Sequence, residues 1–150
     1  MRDESGQTVV EFAVSLTILL TSVFTLIEIC LMFYTYATIS ECAREGTRYA
    51  IVRGASCVTG GTTGAGASCT VSASTINTYV ANLGYPNAGG GTMTVNTTFS
   101  ADEASFTTTG NNAPNDVVRV QITYNFPVKL PFVPRNSISL KSQSQMIILQ

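Results

Sequence analysis

The chain has no histidine and no tryptophan, and it is poor in charge of either sign: 11% of its 150 residues are Asp, Glu, Lys or Arg. Each shortage excludes something. Without histidine the commonest general base and the usual zinc ligand are missing, so neither an ordinary hydrolase nor a zinc site is expected. A net charge of −1 offers no basic surface to neutralise phosphates, which argues against a nucleic-acid binder. Disorder is excluded from the other side, because 45% of the residues are hydrophobic. No nucleophile–base pair and no convergent carboxylates are visible, so no catalytic residues, no metal site and no cofactor are expected. The length allows one domain, or one long helix plus a small domain.

The shortage of charge is also local. From Gly54 to Ala101 there is no Asp, Glu, Lys or Arg, and Gly, Ser, Thr, Ala and Asn take their place. Such a surface is wetted by hydroxyls and amides, whereas a cytosolic face normally intersperses charges. The segment therefore reads as extracytoplasmic and suited to packing against copies of itself. Of four cysteines, Cys57 and Cys69 flank "VTGGTTGAGAS", a loop with no other obvious means of ordering. A disulfide there would stabilise by about 3 kcal/mol in the chain-entropy model and would imply an oxidising compartment. The alternative is two unpaired thiols. Cys30 reads as a small packing residue, and Cys42 has no evident partner.

What the chain does have is one long apolar run. From Phe12 to Tyr36 only Glu28 is charged, and Gly and Pro are absent. These residues span about 37 Å as a helix, enough for a hydrocarbon core of roughly 30 Å. "ATISECAREGTRYAIVR" continues the helix amphipathically, with Glu41–Arg44 and Glu45–Arg48 at pairing distance. Arg53-Gly54 supplies a last-turn cation and a C′ glycine. The pattern predicts one helix from about Gln7 to Arg53, with its transmembrane half at about 12–36. The run is too long for the apolar core of a secretory signal and lacks a convincing cleavage site after it. Arginines beyond the span would place that side in the cytoplasm by the positive-inside rule, but the cysteines and the uncharged stretch outweigh them.

Beyond the helix, Ser72 or Ser74 can cap a short helix with an Ile76, Val80, Leu83 stripe, closed by Gly84 and Pro86. "TMTVNTTF" alternates, with Met93, Val95 and Phe99 on one face. "VVRVQITYNF" puts Val118, Val120, Ile122, Tyr124 and Phe126 on one face. "PVKLPFVPRN" interrupts with prolines that exclude a central strand. "SISLKSQSQMIIL" resumes with Ile138, Leu140, Met146 and Ile148 in phase, and with Ser142 and Ser144 as gaps on the same face. A helix lying across the sheet would need such gaps. The expected fold class is α+β: a long N-terminal helix, transmembrane then amphipathic, packed on a small antiparallel sheet with one short extra helix. Weaker signals are set aside: "GGTTGAG" lacks the context of a phosphate loop, the Asn96 sequon arises easily by chance, and Asp102, Glu103 and Asp116 read as a solvated loop face.

"GQTVVEF", then "LIEICLMFYTYATISECAREGTRYAIVRG", then a cysteine-flanked loop, and finally "VVRVQITYNFPVKLPFVP" resemble the TadE-like family. These are minor pseudopilins of tight-adherence (Tad) pili within the type IV pilin-like group. The resemblance implies a structural subunit, not an enzyme, held in the bacterial inner membrane and assembled into or initiating an extracellular filament used in adhesion. It implies prepilin peptidase cleavage between Gly6 and Gln7, with residues 1–6 as leader, 7–53 as the helix and 54–150 as the extracytoplasmic domain. Glu11 becomes the fifth mature residue, placed to pair with a neighbour's N-terminal amine, and Glu28 matches an intramembrane acidic position. The implied partners are other copies or other pilin subunits, the peptidase, the inner-membrane assembly platform and membrane lipid. A carboxylate at bilayer depth costs about 2.5–3.5 kcal/mol and usually has a partner. Neither Glu11 nor Glu28 has a basic residue within one helical turn, so a partner from another subunit is the expectation for both, the alternative for Glu11 being hydration or snorkelling at the membrane interface. The alternative is a single-pass membrane protein whose exported domain binds a ligand or surface without polymerising.

Overall fold

The computed structural model describes residues 5–59, 67–83, 90–102, 106, 110, 112–129 and 136–149. Most of the proposed leader, most of the disulfide loop, Gly84, Pro86, Glu103 and most of the proline-rich segment lie outside the described residues. The architecture is the expected α+β one. Helix α1 (Ser5–Ile51) is followed by the two-residue strands β1 (Val58–Thr59) and β2 (Ala67–Ser68) and by helix α2 (Ala73–Asn82). Strands β3 (Thr92–Ser100), β4 (Val117–Pro127) and β5 (Ser137–Ile147) complete the chain. β1 and β2 pair antiparallel, and the larger sheet runs β3-β4-β5, antiparallel throughout.

α1 is 47 residues long, about 70 Å at helical rise. Its second half buries one stripe against the sheet: Thr35, Ile39, Cys42, Ala43, Gly46, Thr47 and Ala50. The three- and four-residue spacing is that of a single helix face. Gly46 gives up about 1 kcal/mol of helix propensity relative to alanine, and the packing explains why. A Cβ there would stand 2.5 Å from Val80 Cγ2 and 3.3 Å from Val120 Cγ1. At Gly46 the α1 backbone therefore lies close against both α2 and β4.

The helix ends earlier than the sequence predicts. Arg48 is the cation of the last turn, Arg53 lies beyond it, and Gly54 does not take the left-handed conformation of a C′ glycine. Tertiary bonds replace the local cap. Leu149 N–H donates to Ile51 O at 3.2 Å, and Val71 N–H to Arg53 O at 3.2 Å. Asn112, at φ 60°, donates its side-chain amide to Val71 O at 2.9 Å and to Arg53 O at 3.3 Å. No periodicity in the sequence marks Asn112 as the residue that joins three segments.

The strand faces follow the alternation. On β4, Val118, Val120, Ile122, Tyr124 and Phe126 are buried, with at most 2% exposure. β4 is the central strand, and its only proline, Pro127, is its last residue, where a missing N–H breaks little of the ladder. Tyr124 is wholly buried, and its hydroxyl accepts the Gly91 N–H at 3.2 Å. Ser72 is the N-cap of α2, accepting from Thr75 N–H at 3.4 Å. Ile76 and Val80 are buried, while Leu83, the C-cap, remains exposed. Tyr79 stacks on Tyr49 at 3.9 Å between centroids, and the Arg53 guanidinium carbon lies 4.0 Å from the Tyr49 ring centroid, so α2 is tied to the end of α1.

The serines of β5 do what their small size suggests. Thr47, fully buried on α1, shares a 3.0 Å hydroxyl–hydroxyl hydrogen bond with Ser144. Ile138 is in phase with this inward face but is 44% exposed, because it sits at the sheet end where β4 and β5 are joined.

Candidate functional site: the bare helix and its two carboxylates

From Gly6 to Leu20 every residue of α1 is exposed, including Val9, Val10, Phe12, Ile18 and Leu19. The helix is long and apolar enough to cross a membrane, and its most apolar window has no share buried inside the protein. An isolated water-facing helix would not carry such a surface, so lipid or other helices must cover it. Several of the hydroxyls along it are already satisfied. Thr17, Thr21 and Thr25 each donate to the carbonyl four residues earlier at 2.8 Å, and Ser22 to Leu19 O at 2.7 Å. That bonding lets them enter an apolar phase without an external partner.

Glu11 stands one turn above Gln7, whose side-chain amide donates to Glu11 Oε1 at 3.3 Å. A Cβ on Gly6 would meet nothing within 4 Å, so the backbone there is open to approach. The sequence places Gly6, Gln7 and Glu11 on one helix end, and the structure keeps them there with no cation beside Glu11 among the described residues.

Glu28 is different. Its Oε1 accepts the backbone N–H of Lys129 at 2.9 Å, from the segment that leaves β4. Glu28 thus has a partner within its own chain, beyond the helical neighbours on which the expectation of a partner from another subunit rests. A backbone donor more than a hundred residues away leaves no trace in local charge patterns. Val128 N–H in turn bonds Asn136 O at 2.9 Å, which closes the connection toward β5.

The structure joins Cys57 to Cys69, with Cα atoms 5.3 Å apart, and the two short strands β1 and β2 lie between them. Cys30 is exposed on the apolar stretch. Cys42 is buried against the domain, and that burial raises its thiol pKa above the ordinary value. Glu41–Arg44 at 2.9 Å and Glu45–Arg48 at 3.9 Å form as exposed helical pairs, worth only about 0.3–0.5 kcal/mol each. Among the described residues no three His, Cys, Asp or Glu side chains gather as a metal site.

A family model described as TadE-like protein matches residues 6–48. No curated protein and no solved structure matches the chain. The matched stretch is α1 almost from end to end, and it includes Gly6, Gln7, Glu11 and Glu28. The TadE-like match and the bare apolar helix together fit a Tad pilus-associated membrane protein. Over residues 6–48, its N-terminal helix, this chain is similar to the TadE-like family.

Proposed function

We propose that the protein is a pilin-like structural subunit. It is anchored in the inner membrane by the first half of α1 and assembled into, or initiating, an extracellular Tad/type IV-like filament by helix-bundle packing. The observation that carries this reading is the two-part helix. One unbroken rod of 47 residues buries its C-terminal half under its own sheet and leaves its N-terminal half with no tertiary cover. That half can exchange lipid for the helices of neighbouring subunits without any change in the domain. The Cys57–Cys69 disulfide supports an oxidising compartment for the domain.

In this reading prepilin peptidase cuts after Gly6, and Gln7 becomes an N-terminal cation four residues from Glu11. A neighbour's amine then pairs with Glu11 inside the bundle, where low dielectric strengthens the attraction. The domain stands in solvent and makes the adhesive surface. The test is Glu11→Ala in the native host. Cleavage should proceed normally while the amount of subunit recovered in sheared filaments falls by at least about tenfold, the loss of one buried charge pair. Normal incorporation of that variant would remove the pairing.

A further inference from the structure

We infer that the hydrocarbon layer ends at Glu28, not near Tyr36, and that the β4–β5 end of the domain rests on the lipid headgroups. The inference rests on the membrane-anchored reading of α1 and adds where the bilayer surface crosses it.

Three observations converge. First, Glu28 is bonded to the backbone of Lys129, so the irregular backbone at Val128 and Lys129, just after β4, is held at the level of Glu28. Irregular, lipid-exposed backbone is not found within the hydrocarbon region, because its polar groups have no water to bond. A span reaching Tyr36 would bring the layer about 12 Å above Glu28 and immerse that strand end and the exposed Lys129. Second, the sheet end on this side already shows a lipid-facing character: Ile138, whose register partner is Phe126, is exposed although it lies on the inward face. Third, Tyr34 and Tyr36 are exposed on α1 just above Glu28. Tyrosine is favoured at headgroup level, where the ring meets apolar chains and the hydroxyl meets water. The remaining stretch from Gly6 to Ile27, about 22 residues, covers about 33 Å and still spans the hydrocarbon core. Lys129 then stands among headgroup phosphates, with its ammonium on the water side, and the Glu28 carboxylate marks the edge of the apolar layer.

The experiment uses the full chain in lipid nanodiscs of phosphatidylethanolamine and phosphatidylglycerol, which leave both water faces open. Cys30→Ser removes the one exposed thiol, Cys42 is buried and Cys57–Cys69 is oxidised, so the background is silent. Single thiols are then introduced by Leu20→Cys, Tyr34→Cys and Thr94→Cys, all at exposed positions, and labelled with a membrane-impermeant maleimide. The inference predicts that the residue-34 thiol reacts within about threefold of the residue-94 thiol, while the residue-20 thiol reacts at least about tenfold more slowly. Protection at both 20 and 34 overturns the boundary at Glu28 and leaves the anchor standing. Rapid labelling at 20 overturns the anchor itself, and the boundary with it.

Discussion

Gly46 shows how one missing side chain sets a helix crossing. Gly46→Ala would gain about 1 kcal/mol of helix propensity. It would also drive a methyl group into Val80 Cγ2, a buried β-branched side chain with little freedom to turn away. Overpacking of this kind costs about 1–3 kcal/mol, so chemical denaturation of Gly46→Ala should show net destabilisation. Val80→Ala in the same chain should recover part of it, since the two sites are in contact and their effects are not additive. The sequence shows Gly46 only as a weak point in a helix; the reason for it sits on other elements. Cys42 gives a second test at this scale. Burial disfavours its thiolate and raises its pKa, so folding favours the protonated form. Its contribution is fully present below the unfolded pKa and is lost as pH rises through the raised folded value. Alkylation of Cys42 should therefore be slow in the native chain at neutral pH and should accelerate with unfolding. Fast labelling of the folded protein would contradict the buried placement.

The elements were legible to different depths. The phase of β4 could be read residue by residue, because a central strand with one buried face has a strict two-residue period. The gaps at Ser142 and Ser144 pointed to the helix that crosses there, and Thr47 meets Ser144. The end of α1 was not legible. Its cap is made by Asn112, Val71 and Leu149, which are distant in sequence and close only after folding. The same holds for Glu28, whose partner is a backbone N–H beyond β4. A hydrogen bond to a charged acceptor is worth about 1.5–3 kcal/mol. Glu28→Leu should therefore lower the melting temperature of the detergent-solubilised chain, and Glu28→Gln, which keeps a carbonyl acceptor, should restore most of it. Equal losses in the two variants would mean that the charge itself matters rather than the bond to Lys129. Reduction of Cys57–Cys69, which closes a sequence separation of 12, should cost about 3 kcal/mol. Urea unfolding with and without reductant measures it.

At the scale of the molecule, one chain carries two surfaces of opposite character. The domain is held by a core of aliphatic and aromatic residues under a three-stranded sheet, and it stays wet with few charges. The first half of α1 has no cover from this chain, so its stability depends on lipid or on other helices. Sequence alone gave the order of these parts, since a membrane-length apolar run and an alternating strand are patterns of adjacent residues. It did not give how far the sheet reaches down α1, on which the proposed level of the bilayer surface depends. The central claim is that this rod is processed and enters a filament. N-terminal sequencing of the protein from a sheared surface fraction tests it most directly. The account predicts a chain that begins at Gln7 in that fraction. A chain that begins at Met1 and is confined to the membranes would contradict it.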